Sequence, residues 1–179
     1  MPSLLGARPE RRHALGTSVG TRRAALFVAV CIAAAAGPFP AVAQKVRVTN
    51  LSDVDFGLIS NLQADARRSQ SICLFSNSGG GRYSVTASGS GPGSSFTLSN
   101  GSSSLAYDVE WSDQSGQTSG TSLIPTVAAT GRVSAATQQT CNSGPPSSAS
   151  LTIILRSSAL SQASEGNYSG SLTLLVAAE

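Results

Sequence analysis

The chain of 179 residues carries 12 Lys and Arg against 9 Asp and Glu, a formal net charge of +3, with one histidine and three cysteines. Five of the basic residues, Arg8, Arg11, Arg12, Arg22 and Arg23, precede position 24; from Gln44 onward seven basic residues meet eight acids, a net charge of −1. The basicity is confined to one end, no basic stripe with interleaved aromatics follows it, and nucleic-acid or membrane-surface binding has little support.

Those arginines lead into an apolar run over residues 24–36, then Gly-Pro-Phe-Pro and the small-x-small triplet Ala41-Val42-Ala43. The pattern predicts a secretory signal peptide over residues 1–43, cleaved before Gln44. A membrane anchor is the alternative, but about 13 apolar residues fall short of the roughly 20 that a spanning helix needs. Thr21-Arg-Arg-Ala-Ala-Leu faintly resembles a twin-arginine signal. The general secretion route is preferred, since nothing downstream looks like a cofactor site that must fold before export. What is left, residues 44–179, suffices for one domain with a real core.

The mature chain opens with residues 44–52, a short extension in which Val46 and Val48 share one face. A sandwich domain is expected over residues 53–179. Strand composition, with period-two alternation and Gly, Ser, Asn and Pro between segments, predicts strands at 54–59, 71–76, 82–88, 95–99, 105–111, 149–156 and 167–177. Cys73 lies inside the apolar strand Ser71-Ile-Cys-Leu-Phe75. Over 105–111, Leu105, Tyr107, Val109 and Trp111 face one way and Ala106, Asp108 and Glu110 the other, so one face is core and the other wet. Residues 112–148 are rich in Ser, Thr, Gly and Ala; short strands are expected only near 122–124 and 131–134, and disorder competes with partial order. Val127, Val133 and the anchoring Cys141 favour order. Because Cys31 leaves with the signal, Cys73 and Cys141 are expected to form one disulfide, with two free buried thiols as the alternative. That bridge pins a long loop to the sheet.

The last predicted strand is the strongest. Tyr168, Gly170, Leu172, Leu174 and Val176 share one face; Ser169, Ser171 and Thr173 lie on the other, where Leu175 interrupts the polar pattern. Edges left bare invite pairing with another chain. About seven short strands with regular turn signals predict an all-β fold, an immunoglobulin-like two-sheet sandwich.

Catalytic chemistry is mostly missing from the sequence. The only histidine, His13, leaves with the signal, so Ser-His-Asp and Cys-His nucleophiles and histidine-containing metal sets are excluded from the mature chain. Asp108 and Glu110, roughly 7 Å apart at Cα on one strand face, match a glycosidase acid and base in separation. Two solvated acids on a polar face is the preferred reading. Asp108, Glu110 and Asp113 lack the alternating oxygen ligands and turn glycine of a calcium loop. No catalytic residue, metal or cofactor is expected. Trp111 and Tyr107 could form a sugar platform, but their apolar face favours core packing.

Asp55-Phe-Gly-Leu58, the Ser71-Ile-Cys73 strand and the ending Glu165-Gly-Asn-Tyr-Ser-Gly-Ser-Leu-Thr-Leu-Leu-Val176 resemble the spore coat protein U family, which includes subunits of archaic chaperone-usher pili. The resemblance covers both ends of the mature domain. It implies a sandwich lacking its last strand, completed by a periplasmic chaperone and then by the N-terminal extension of the next pilus subunit at an usher. It also implies passage through the periplasm to the cell surface or an extracellular fibre. In that scheme Tyr168, Leu172, Leu174 and Val176 form the acceptor edge, and Val46 and Val48 the donor strand. If Val46 and Val48 instead start the chain's own sheet, the protein accepts a strand without giving one, as at a fibre tip. A secreted binding module or tip adhesin, directed at glycan, is the competing reading.

Overall fold

The computed structural model describes residues 43–179, so the expected export signal lies outside the described residues but for Ala43. Ten strands follow: β1 (Val46–Thr49), β2 (Ala66–Ser76), β3 (Arg82–Gly89), β4 (Thr97–Ser99), β5 (Ser104–Ala106), β6 (Asp108–Ser112), β7 (Thr121–Ser122), β8 (Ala129–Val133), β9 (Ala149–Leu155) and β10 (Leu172–Ala178). One α-helical turn, α1 (Ser157–Leu160), precedes β10. Among the described residues no helix is long and apolar enough to cross a membrane.

Every pairing is antiparallel. One sheet runs β1-β2-β9-β6-β7, a second runs β10-β3-β8, and β4 and β5 form a small ribbon. Between the sheets lies one apolar cluster, in which Ile72, Leu74, Val109, Trp111, Leu151 and Leu155 of the first sheet meet Tyr83, Val85 and Ala87 of the second. The fold is the expected all-β, immunoglobulin-like sandwich. Period-two alternation specifies it because each strand presents one apolar face to the same interior.

Four elements differ from the sequence-based expectation. β2 begins at Ala66, five residues early, because Ala66-Arg-Arg-Ser-Gln70 pairs along β9 from Leu155 to Leu151 despite its polarity. The strand expected over 105–111 divides at Tyr107. β5 pairs with β4, whereas β6 pairs with β9 and β7, and Tyr107 donates its backbone N–H to the Phe96 carbonyl at 2.9 Å across the break. All four alternating side chains stay buried through the switch, so the pattern is kept while the partner changes.

The strand expected over 54–59 makes no ladder among the described residues. Gly57 takes φ +62°, a region that favours glycine, and its N–H donates to Asp55 Oδ1 at 2.7 Å. That turn shifts the alternation by one position. Val54, Phe56 and Ile59 are half-buried, and Leu58 is 96% exposed. Finally, regular pairing of the last strand starts at Leu172; Ser169 makes one isolated bridge to Ser99. At Gly170 a Cβ would lie 2.9 Å from Ser90 Oγ and 3.1 Å from the Thr97 carbonyl, so a larger residue would require Ser90 and β4 to shift.

The Ser-rich stretch 112–148 is ordered: β7 joins the first sheet and β8 the second, and residues 114–117 fold over the outer face of the first. The Gly116 N–H donates to Ser71 Oγ at 2.8 Å and the Gln117 N–H to Ser150 Oγ at 3.0 Å, while the Ser150 hydroxyl donates to the Gln114 carbonyl at 2.8 Å. Ser150 and Thr152 are consequently buried, although they alternate away from the core. Further on, the Cys73–Cys141 disulfide, with Cα atoms 5.8 Å apart, sits in a small second cluster with Ala136 and Phe75. Val127 and Val133, expected to anchor this stretch, are exposed; Leu123, Ala136 and Cys141 are the buried anchors.

Candidate functional site: an open groove beside β10

β10 is the edge of its sheet: one side pairs with β3 from Leu172–Gly89 to Ala178–Tyr83, and no strand pairs with the other among the described residues. Its inward side chains Leu172, Leu174 and Val176, with Tyr168 just upstream, are half-buried against the core, and Leu175 on the outer face is 66% exposed. The sequence-predicted acceptor residues therefore lie together on one inward face.

Beside that edge the sandwich is open. A groove of about 1190 Å³ runs between residues 163–174 on one side and residues 51–62 on the other. Its floor is apolar, with Leu151, Ile153 and Leu155 of β9 together with Leu98, Leu105, Tyr107 and Leu160. Tyr107 stacks on Phe96 at 5.6 Å between centroids, and burial raises its phenol pKa above the usual value. The Tyr168 hydroxyl donates to the Ser164 carbonyl at 3.1 Å, so its ring stays in the wall.

Val46 and Val48 do not form a detached extension. They lie in β1, which pairs with β2 from Val46–Ser76 to Thr49–Cys73 at the edge of the chain's own sheet, and Val48 packs against the core. Sequence reasoning left this alternative open; in this structure the segment is seated at home.

The remaining candidates lie apart from the groove. Glu110, expected to be solvated, is 8% exposed: its carboxylate accepts the Gly120 N–H at 3.1 Å and faces Arg67 at 3.6 Å and Arg156 at 3.9 Å. Arg156 also contacts Asp108 at 2.6 Å and Asp65 at 3.0 Å. Hydrogen bonds from the Ser157 backbone and from Arg156 hold the Asp65 carboxyl below the usual range, and the hydrogen bond to Asp108, followed by that to Asp65, raises Arg156. Asp108 and Glu110 thus belong to an ion-pair network rather than to a paired acid and base facing a cleft.

Trp111 is fully buried, and its Nε1–H donates to the Tyr83 hydroxyl at 2.8 Å; that hydroxyl donates in turn to Asp113 Oδ1 at 2.7 Å. Asp113 also meets Arg132 of β8 at 3.7 Å. Burial first, and then the hydrogen bond to Asp113, push the Tyr83 pKa far upward. These groups join the two sheets across the core and leave no indole face for a ligand.

Sequence reasoning missed the groove's second wall and Leu160. A signal was present: Arg68 and Gln70 share the parity of Ile72 and Leu74, which marks them as inward-facing polar residues at a rim.

No protein-family model matches the chain, and a search of curated proteins returns no relative.

Proposed function

We propose that this chain is a structural subunit of a surface pilus, exported and then completed by a β-strand donated by a partner. One observation carries the reading: the unpaired edge of β10 lies beside an apolar groove of about 1190 Å³ that opens into the core. An edge strand next to an apolar groove is a template for strand addition, in which main-chain hydrogen bonds supply affinity and alternate side chains fill pockets. The resemblance to spore coat protein U proteins supplies the partners: a periplasmic chaperone, an usher and the neighbouring subunits.

The seating of β1 in its own sheet favours the accepting role over the giving one. Donation requires its four residue pairs with β2 to part first. A glycan-binding module loses its candidate platform, because Trp111 and Tyr107 are both buried.

The test is strand fusion. A donor-strand peptide joined through a short linker after Glu179 is expected to convert an unstable or aggregating chain into a cooperative monomer. A chain that is already stable and cooperative, and gains nothing from the fused strand, overturns the proposal.

A further inference from the structure

The second wall of the groove is held by side chains where a ladder would be expected. Among the described residues, no backbone–backbone hydrogen bond joins residues 51–60 to β2 after the β1 pairing ends at Thr49. Gln70 takes that place at Ser52. Its Nε2 donates to the Ser52 carbonyl at 3.1 Å, and its Oε1 accepts the Ser52 N–H at 3.0 Å and the hydroxyl at 3.1 Å. One carboxamide therefore offers Ser52 the donor and acceptor that a neighbouring strand residue would offer. Arg68 acts likewise further along, donating through Nε to the Asp55 carbonyl at 3.2 Å and through Nη2 to the Phe56 carbonyl at 3.4 Å. Its guanidinium lies 5.8 Å from the Phe56 ring centroid.

Both residues occupy inward positions of β2, where Ile72 and Leu74 continue the core. Polar side chains there make sense if their task is to hold the wall. The wall they hold forms one side of the groove, opposite residues 163–174.

Resting on the strand-accepting function proposed above, we infer that Gln70 and Arg68 are positioning residues for strand capture: they keep residues 51–56 extended opposite β10, so the groove is shaped before the strand arrives. A wall that had to be ordered during capture would lower the affinity by its lost conformational freedom.

Three variants of the exported protein separate this role from simple stability. Gln70→Met keeps the stem and removes all three hydrogen bonds, Gln70→Glu keeps only the acceptor, and Arg68→Met removes both donations to the wall. Amide hydrogen exchange at residues 52–56 is expected to accelerate about tenfold or more in Gln70→Met and Arg68→Met, with β3, β6 and β9 unchanged. The dissociation constant for a labelled peptide carrying residues 44–52 of this chain should rise about tenfold in both, with Gln70→Glu between them and the wild type. Unchanged exchange at the wall, or a wild-type affinity despite faster exchange, overturns the inference alone. A wild-type protein that captures no such peptide overturns strand capture and this inference together; wall exchange in the same samples still reports whether the two side chains hold the segment.

Discussion

The two ends of β10 are finished differently. At its end, Ala178 pairs with Tyr83, whose hydroxyl connects the Trp111 indole to Asp113, while the Ser78 hydroxyl donates to the Glu179 carbonyl and the Gly131 N–H to its side chain. Polar groups there find partners within the chain. At its beginning, Leu172 and Leu174 face an open groove, and the opposite wall is held by two side chains. The sandwich closes where aromatic side chains span both sheets. It stays open where, among the described residues, no strand pairs with the free edge of β10.

The comparison breaks most sharply by substitution. Trp111→Ala, at a residue with 0% exposure, is expected to cost about 3–5 kcal/mol in denaturant unfolding. The half-buried Leu174→Ala should cost roughly 1–2 kcal/mol, and a groove-side loss as large as that at Trp111 would show the two ends to be equally closed. Replacing Cys73 and Cys141 by Ala removes a closure spanning a sequence separation of 68 and is expected to cost on the order of 4 kcal/mol on the chain-entropy account. Limited proteolysis between residues 134 and 148 should accelerate in that variant, because the outer-face loop loses its covalent anchor.

An effect as small as that at Leu174 belongs to the Tyr83 hydroxyl. Tyr83→Phe is expected to cost about 1–2 kcal/mol, since Trp111 Nε1 retains Asp113 at 3.2 Å. Its pH signature is more specific. The folded state holds the Tyr83 phenol pKa far above its ordinary value of 10.0, so this stabilisation is complete below pH 10.0 and declines as the pH rises beyond it. Tyr107, raised by burial, acts in the same direction. A melting-temperature profile above pH 10 should therefore fall less steeply in Tyr83→Phe than in the wild type.

Much of the architecture was legible in the sequence because it rests on local alternation. Leu105, Tyr107, Val109 and Trp111 all reach the core as their spacing demanded, and Cys73 meets Cys141, the one other cysteine from Gln44 onward. The acceptor face of Tyr168, Leu172, Leu174 and Val176 was equally readable. Glu110 was not: its neighbours Arg67, Arg156 and Gly120 come from other elements, and period-two reasoning sees one strand at a time. Residues 54–59 misled for a local reason, since alternation continues through Gly57 on paper while its positive φ shifts the phase in space.

By itself the sequence determined which faces are apolar, which cysteines pair and that the fold is built from strands, since each follows from chain chemistry and a two-residue repeat. Tertiary structure alone decided that β1 pairs at home, that the strand through Tyr107 changes sheets, and that a groove remains open between β10 and a wall held by Gln70 and Arg68. These outcomes depend on which distant segments meet, and hydrogen bonds between segments many residues apart leave no period in the sequence.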